Sequence, residues 1–505
     1  MFLTRSGAFY SPYHTETTIN IDSLLHDALS RAPDSFDSPL TSPECSPTPS
    51  PASSRCASPS PAKSMPDEDT NVTFSSTPNV TLPPTPDSSS KPDANTTKKL
   101  YPQEGVPRKR PKSKKRTEKD KKRSKQQRDR KQKGTSIAVC RSEAELKAYV
   151  QENCKFVFES AQRVPGTVDT QSLPATSTGY LGKVQDKEKE EQGLLPEHRE
   201  YSLSELVDKK NFEVIWYEKG VTKYIASKGS GGIMAAIVPG PNDDVDDPEW
   251  KPVREGAENT IKTLWPLCLF DPNGRRGLVN PINYGISFGN GQLRPMVLSD
   301  QGKQNLLVME LIRQCVFFQR IAGWMSVCFL TWAPRLFIYY VRIMSLLFQQ
   351  QTGLDLPFEN CIFAGFTVNF GPRTICLPHR DSKNLVFGWC AITALGNYDY
   401  TQGGHLVLWD LKKVIEFPPG CTIFLPSAVL CHFNTPIADH ETQYSFTMYT
   451  SGGIFRWVKH GFQLEYLYQK TARAARDAAN NAQRWAQGLS LFSTIEELLS
   501  PSSVE

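Results

Sequence analysis

No two of the twelve cysteines stand in a CxxC spacing. That excludes the usual zinc-finger pattern, and their scatter excludes a disulfide framework. Reduced thiols in an intracellular protein are expected. Residues 1–6 hold no apolar run suited to a secretory leader. The sequons Asn71-Val72-Thr73, Asn79-Val80-Thr81 and Asn95-Thr96-Thr97 are therefore expected to be chance matches in a Ser/Thr-rich stretch. An uninterrupted membrane span is also missing. Residues 325–348 are strongly apolar but carry Pro334, Arg335 and Arg342, whereas a spanning helix needs about 20 nearly uncharged residues. A buried core helix broken before Pro334 is expected instead, and no membrane partner.

Apolar residues are scarce in the first hundred positions, where Ser, Thr and Pro dominate, as in Ser38-Pro39-Leu40-Thr41-Ser42-Pro43. Such a stretch buries too little apolar surface to offset its ordering entropy, so residues 1–107 are expected to be a disordered tail. A basic segment, 108–134, follows. Between Arg108 and Lys133 there are 16 Lys or Arg against three acids, a net of +13. With a total of +5, the rest of the chain carries −8. The bland account of such a run is a solvated linker. Its density, and clusters such as Pro107-Arg108-Lys109-Arg110-Pro111-Lys112, point to nuclear localisation and phosphate contacts, with DNA as a partner.

The remainder reads as a folded unit. Residues 135–360 are helical and mixed. The main helical region spans 305–348, where Leu307, Glu310, Leu311, Gln314 and Phe318 fall at helical spacing and are expected to be core. From residue 361 the texture changes to short strands at 362–370, 387–394, 405–411, 414–417, 421–425 and 443–449. Gly371-Pro372, Gly403-Gly404, Pro418-Pro419-Gly420 and Pro426 separate them. Strands of this length and punctuation suggest a jelly roll over 361–462. A C-terminal helix and tail occupy 463–505. The expected class is α+β: a jelly-roll core buttressed by helices.

Within the jelly roll stands Pro378-His379-Arg380-Asp381. On an extended segment, His379 and Asp381 point to the same side, so an imidazole and a carboxylate can take adjacent positions on one metal. A second histidine from a distant strand would complete a two-His, one-carboxylate face, which leaves three positions open, as in non-haem Fe(II) oxygenases. A lone HxD occurs often by chance, but here His432 follows, after the strand at 421–425 and its Pro426 turn. His405 is the rival ligand. His440 and His460 are expected to be structural or exposed.

The order of these motifs carries a resemblance. PHRDxxN (Pro378 to Asn384), GGHLVLWD, PPGxxxxLPSxxLxH and a strand reading YSFTxYTxGGxFRW resemble the TET/JBP-type Fe(II)/2-oxoglutarate dioxygenases, in particular the fungal members associated with transposons. The resemblance covers roughly residues 323–462. It implies a double-stranded β-helix, Fe(II) and the co-substrate 2-oxoglutarate, with 5-methylcytosine in DNA oxidised. It also implies that Asn384 contacts the target base. In the family the last strand reads RxSxxxY, with Arg and Ser on the distal carboxylate of 2-oxoglutarate and Tyr near the base. Ser445 and Tyr449 match, and Gln443 replaces the arginine. Taken alone, Asn384 reads as a turn residue.

Gln443, Ser445, Thr447 and Tyr449 alternate with mostly apolar neighbours, so one face of that strand is hydrogen-bonding. Beside the metal triad, that face is expected to point inward. Arginine offers a fixed fork and a permanent charge, whereas glutamine offers a neutral amide. Co-substrate binding is therefore expected to be weakened, unless Arg456, Arg380 or Lys383 supplies a substitute cation. The leading expectation is a nuclear dioxygenase acting on 5-methylcytosine. The alternative is a catalytically weak or inactive descendant that binds DNA through residues 108–133. A third option is oxidation of an RNA base or a protein side chain, since fold alone does not decide substrate.

Overall fold

The computed structural model describes residues 154–500, except 185–194, 242–249, 272–276, 278, 290 and 299–301, together with residues 2–3 and 9–10. The chain divides into Met1–Leu40 with Lys131–Glu505, and Thr41–Arg130. The second unit lies outside the described residues, as does the basic segment 108–134. The expected disordered tail, 1–107, lies outside them too, except for one short ladder. There β1 (Phe2–Leu3) and β2 (Phe9–Tyr10) pair antiparallel, using apolar residues at the very start of an otherwise polar stretch.

The elements continue as β3 (Gln162–Pro165), β4 (Glu213–Ile215), β5 (Lys223–Ala226), β6 (Ile233–Val238) and α1 (Lys251–Leu264). Next come β7 (Pro281–Ser287), β8 (Met296–Val297) and three helices, α2 (Gly302–Gln314), α3 (Val316–Trp332) and α4 (Pro334–Gln350). The strands β9 (Gly365–Asn369), β10 (Cys390–Asn397), β11 (Leu406–Leu408), β12 (Lys413–Ile415), β13 (Thr422–Leu425), β14 (His432–Asn434) and β15 (Thr442–Tyr449) follow. Among the described residues five helices follow: α5 (Gly452–Lys459), α6 (Glu465–Tyr468), α7 (Ala472–Ala479), α8 (Asn481–Leu489) and α9 (Ile495–Leu499). Among the described residues, one sheet runs β3-β5-β6-β13-β10-β15-β9-β7-β8 and a second runs β14-β11-β12-β4. The architecture is α+β.

The helical layer follows from composition. In α3, Phe318, Ile321, Met325, Cys328, Phe329 and Trp332 are all buried, as expected of a helix apolar on most of its circumference. Phe329 stacks on Phe363 and Trp389, and Phe318 meets Phe446 edge to face, so α3 lies on the larger sheet. The break falls at Ala333, and Pro334 opens α4 at the position where its missing N–H costs nothing. Among the described residues no single helix is long and apolar enough to cross a membrane; α2 and α3 meet that test only as a pair bent by 71°.

Two expectations need correction. In α2 the core face is Val308, Met309 and Ile312, while Leu307 and Leu311 are 63% and 42% exposed. Helical spacing identifies a face but not which of two apolar faces is covered. The motif around residues 444–457 is also not all strand. β15 ends at Tyr449, and Ser451 caps a helix by accepting from the Gly453 N–H.

A candidate metal centre between the two sheets

The HxD segment is held opposite β14 by backbone pairing. His379 N–H donates to the His432 carbonyl (3.2 Å) and His432 N–H to that of His379 (3.0 Å). Asp381 N–H donates to the Ser427 carbonyl at 2.9 Å. Reciprocal pairing sets the two imidazoles side by side, with ring centroids 4.4 Å apart. Each ring is oriented by a carbonyl two residues earlier: Nδ1 of His379 lies 2.8 Å from the Leu377 oxygen, and Nδ1 of His432 lies 2.9 Å from the Leu430 oxygen. A carbonyl only accepts, so Nδ1 carries the proton and each Nε2 is left as a lone-pair donor.

Both Nε2 atoms turn toward Asp381. His379 Nε2 is 3.9 Å from Oδ1, and His432 Nε2 is 3.8 Å from Oδ2. One ligand atom from each of the three residues lies within 4.8 Å of the others. Two imidazoles of fixed tautomer and one carboxylate on one side form the donor set of the facial triad, with the outer hydrogen bonds that orient such ligands. The residues present fit a ferrous ion.

The rival histidines lie elsewhere. His405 is buried, with Nδ1 3.1 Å from Thr435 Oγ1 and no partner at Nε2 among the described residues. Burial pushes its pKa down to about 4. His460 stacks on Tyr468 at 3.7 Å and is likewise lowered to about 4, chiefly by burial. His440 is exposed.

The triad opens onto a cavity of about 690 Å³ lined from both sheets, a size suited to a small ligand. Strand register explains its wall. Asn283, Thr367, Thr447 and Ile392 are successive cross-strand partners over β7, β9, β15 and β10. Pro281, Asn369, Ser445 and Ala394 form the next row. Residues in register share a face, and all eight line the cavity. The alternate residues of β15, Tyr444, Phe446 and Met448, are buried.

His379, Asp381, His432, Asn384, Gln443, Ser445 and Tyr449 all line this one cavity. Asn384 sits on a turn, its N–H donating to the Asp381 carbonyl at 2.8 Å and its side-chain amide to Ser427 Oγ at 3.1 Å. Tyr449 pairs across the strands with Gly365, which leaves room beside the ring. Ser445 Oγ accepts from Asn369 at 2.6 Å.

Gln443 is buried and engaged at both ends. Its Oε1 accepts from Asn434 Nδ2 at 2.9 Å, and its Nε2 donates to the Gly404 carbonyl at 3.1 Å. Gly404 has a φ of +70°, and a Cβ there would lie 2.7 Å from Gln443 Nε2; glycine answers both constraints. Of the three cations considered as substitutes, Arg380 is bonded to Asp410 and Arg456 lies 3.6 Å from Glu465. Lys383 is exposed at the cavity wall.

Sequence reasoning missed Asn283, Asn369 and Asn434. Asn434 had a usable signal, since it stands two residues after His432 on a strand and so shares its face.

No family model and no curated protein matches this chain. Solved structures similar to it in part include the following two. One is NgTET1 in complex with 5mC DNA, at 17% identity and a TM-score of 0.33, covering 53% of this chain and 92% of that one. The other is an oxidoreductase of the 2OG-Fe(II) oxygenase family from Burkholderia pseudomallei, at 14% identity and a TM-score of 0.23, covering 38% of this chain and 77% of that one.

Proposed function

We propose that this chain is an Fe(II)- and 2-oxoglutarate-dependent dioxygenase, built on a double-stranded β-helix, that oxidises 5-methylcytosine in nuclear DNA. The observation that carries the reading is the convergence of His379, Asp381 and His432 at the wall of one cavity between two sheets. Bound by these three, iron would supply oxygen activation coupled to conversion of 2-oxoglutarate to succinate. The protein's part is positional. The Leu377 and Leu430 carbonyls hold the imidazole tautomers, and Asp381 supplies the negative charge. Ser445 and Gln443 would face the distal carboxylate of the co-substrate. A target base would have to leave the duplex stack to enter, with Asn384 reading its edge and Tyr449 beside its ring. The segment 108–133 would hold the phosphate backbone.

The test has two parts. Anaerobic protein is expected to bind one Fe(II), and 2-oxoglutarate is then expected to perturb that site. With oxygen and a 5-methylcytosine duplex, succinate should form together with the oxidised base. Succinate release with RNA or peptide but not with DNA would move the substrate class.

A second reading is favoured by one observation. Gln443 is neutral and spent on Asn434 and Gly404, so the guanidinium that normally makes charge-assisted bonds to a carboxylate is missing from this position. On that reading the metal site persists in a protein that binds DNA with little turnover. Stoichiometric iron without response to millimolar 2-oxoglutarate would select it.

A further inference from the structure

The ladder that carries the metal ligands has a second face. His379, Arg380 and Asp381 all line the cavity, but the Arg380 guanidinium is engaged elsewhere. Its Nη2 donates to Asp410 Oδ1 at 2.7 Å and its Nε to the Val429 carbonyl at 3.0 Å. The other carboxylate oxygen, Asp410 Oδ2, accepts from the Cys431 N–H at 2.6 Å. Cys431 immediately precedes His432. The arginine and the aspartate are only 7% and 19% exposed. Two side chains therefore tie three segments together: the HxD turn, the end of β11, and the start of β14. Trp409, the chain neighbour of Asp410, and Cys431 belong to a small apolar cluster that includes Val407 and Phe433.

We infer that Arg380 and Asp410 are a positioning pair that fixes the spacing between the His379/Asp381 arm and the His432 arm of the metal centre. The inference rests on the proposed function, because it presupposes that the triad takes a metal. The physical argument is that the two arms come from segments about 50 positions apart, joined near the ligands by a few backbone hydrogen bonds. A charge-assisted, doubly bonded clamp directly behind them suppresses sliding of one arm against the other. Outer groups that hold ligands in place typically contribute 10–100-fold to metal affinity. Arginine suits the task because its planar fork serves two acceptors in a fixed geometry, whereas the donors of an ammonium rotate on a flexible stem.

Mn(II) titration of the full chain, followed by the spectrum of the bound ion, tests this. Arg380→Gln and Asp410→Asn are each expected to weaken Mn(II) binding about 10–100-fold, with a broadened spectrum of what remains bound. The double variant should be little worse than either single one, since both remove the same clamp. Arg380→Lys should recover part of the affinity. Melting temperatures locate a folded baseline for each protein. If Arg380→Gln does not fold, Asp410→Asn carries the test, because it is isosteric and keeps an acceptor for Cys431. A folded variant that binds Mn(II) within twofold of wild type, with an unchanged spectrum, overturns the pair's role and leaves it purely structural. Failure of the wild-type chain to bind Mn(II) overturns the proposed function instead.

Discussion

Asn434 donates its side-chain amide to Gln443 across the gap between the two sheets, at 2.9 Å. The direction of that bond is locked. Asn434 Oδ1 accepts from the Cys376 N–H at 2.7 Å, and Nδ2 also donates to the Thr374 carbonyl at 2.8 Å. Asn434 cannot turn its amide over without breaking both. Gln443 thus offers an acceptor to Asn434, whose Nδ2 otherwise has the Thr374 carbonyl and, at 3.3 Å, that of Thr435, and a donor to Gly404.

This fixes the expected outcome of restoring the arginine that the family resemblance leads one to look for. In Gln443→Arg a donor-only group faces the locked Nδ2 of Asn434. Losing the 2.9 Å bond to position 443 leaves Nδ2 with the Thr374 carbonyl and the longer contact to Thr435. Facing a buried donor with another donor costs up to about 1–3 kcal/mol, so the variant is expected to unfold at lower denaturant concentration, with no tighter co-substrate binding. Equilibrium denaturation and a 2-oxoglutarate isotherm with Mn(II) in place of iron check both. Tighter binding at unchanged stability would show that the pocket tolerates the charge.

Removal of a ligand should separate the three histidines cleanly. His379→Ala, Asp381→Ala and His432→Ala are each expected to abolish stoichiometric Fe(II) binding while leaving most of the core intact. His405→Ala should retain the metal and lose about 2 kcal/mol of stability through the cavity left in a buried site. Metal analysis beside a thermal melt distinguishes the two patterns. Iron retained in full by His432→Ala would remove that residue from the centre.

Much of this site was legible from spacing. The HxD pair and His432 need only the period-two rule for extended chain and the order of motifs. The alternating face of residues 443–449 lines the cavity for the same reason. What stayed hidden depends on register between strands distant in sequence. Asn369 meets Ser445, and Asn283 meets Thr367, and no local pattern announces either pairing. The Arg380–Asp410 clamp was hidden because a charged residue between two ligands looks like surface until its partner 30 residues on is placed. The exposed Leu307 and Leu311 misled for the opposite reason: periodicity ranks faces by hydrophobicity, and α2 has two.

The buried histidines set a pH dependence. His405 and His460 are both held near a pKa of about 4 by burial, against an ordinary value of 6.5. The folded state thus binds fewer protons than the unfolded state between those values. Their full contribution to stability is present above about pH 6.5 and is lost as pH falls toward 4. His405 adds a slope of roughly 1.4 kcal/mol per pH unit in that window, and His460, whose Nδ1 lies 3.3 Å from Glu465, acts in the same direction. His405→Gln should flatten the dependence by about one histidine's share, read from denaturation midpoints at half-unit pH steps. A slope unchanged by this substitution would mean that His405 charges without cost in the folded protein.

The segment 108–133 supplies the last expectation. Its 16 cations against three acids contrast with a net of −8 over the rest of the chain. If this chain acts on DNA, that segment is the strongest source of long-range attraction, because residues 134–505, with 35 Lys or Arg against 38 acids, carry a net of only −3. Attraction of this kind is driven by release of counterions, at about −0.9 in the slope of log K against log salt for each phosphate neutralised. Deleting residues 108–133 should therefore flatten the slope by several units and weaken binding most at low salt. Iron binding and thermal stability should stay as they were, since the metal ligands are drawn from residues 379–432. Binding isotherms on one duplex at four salt concentrations, for the full and deleted chains, give the two slopes directly. Equal slopes would remove phosphate contact as the role of the basic run and would shift the search for the DNA-holding surface to Lys383 and Arg456 at the cavity itself.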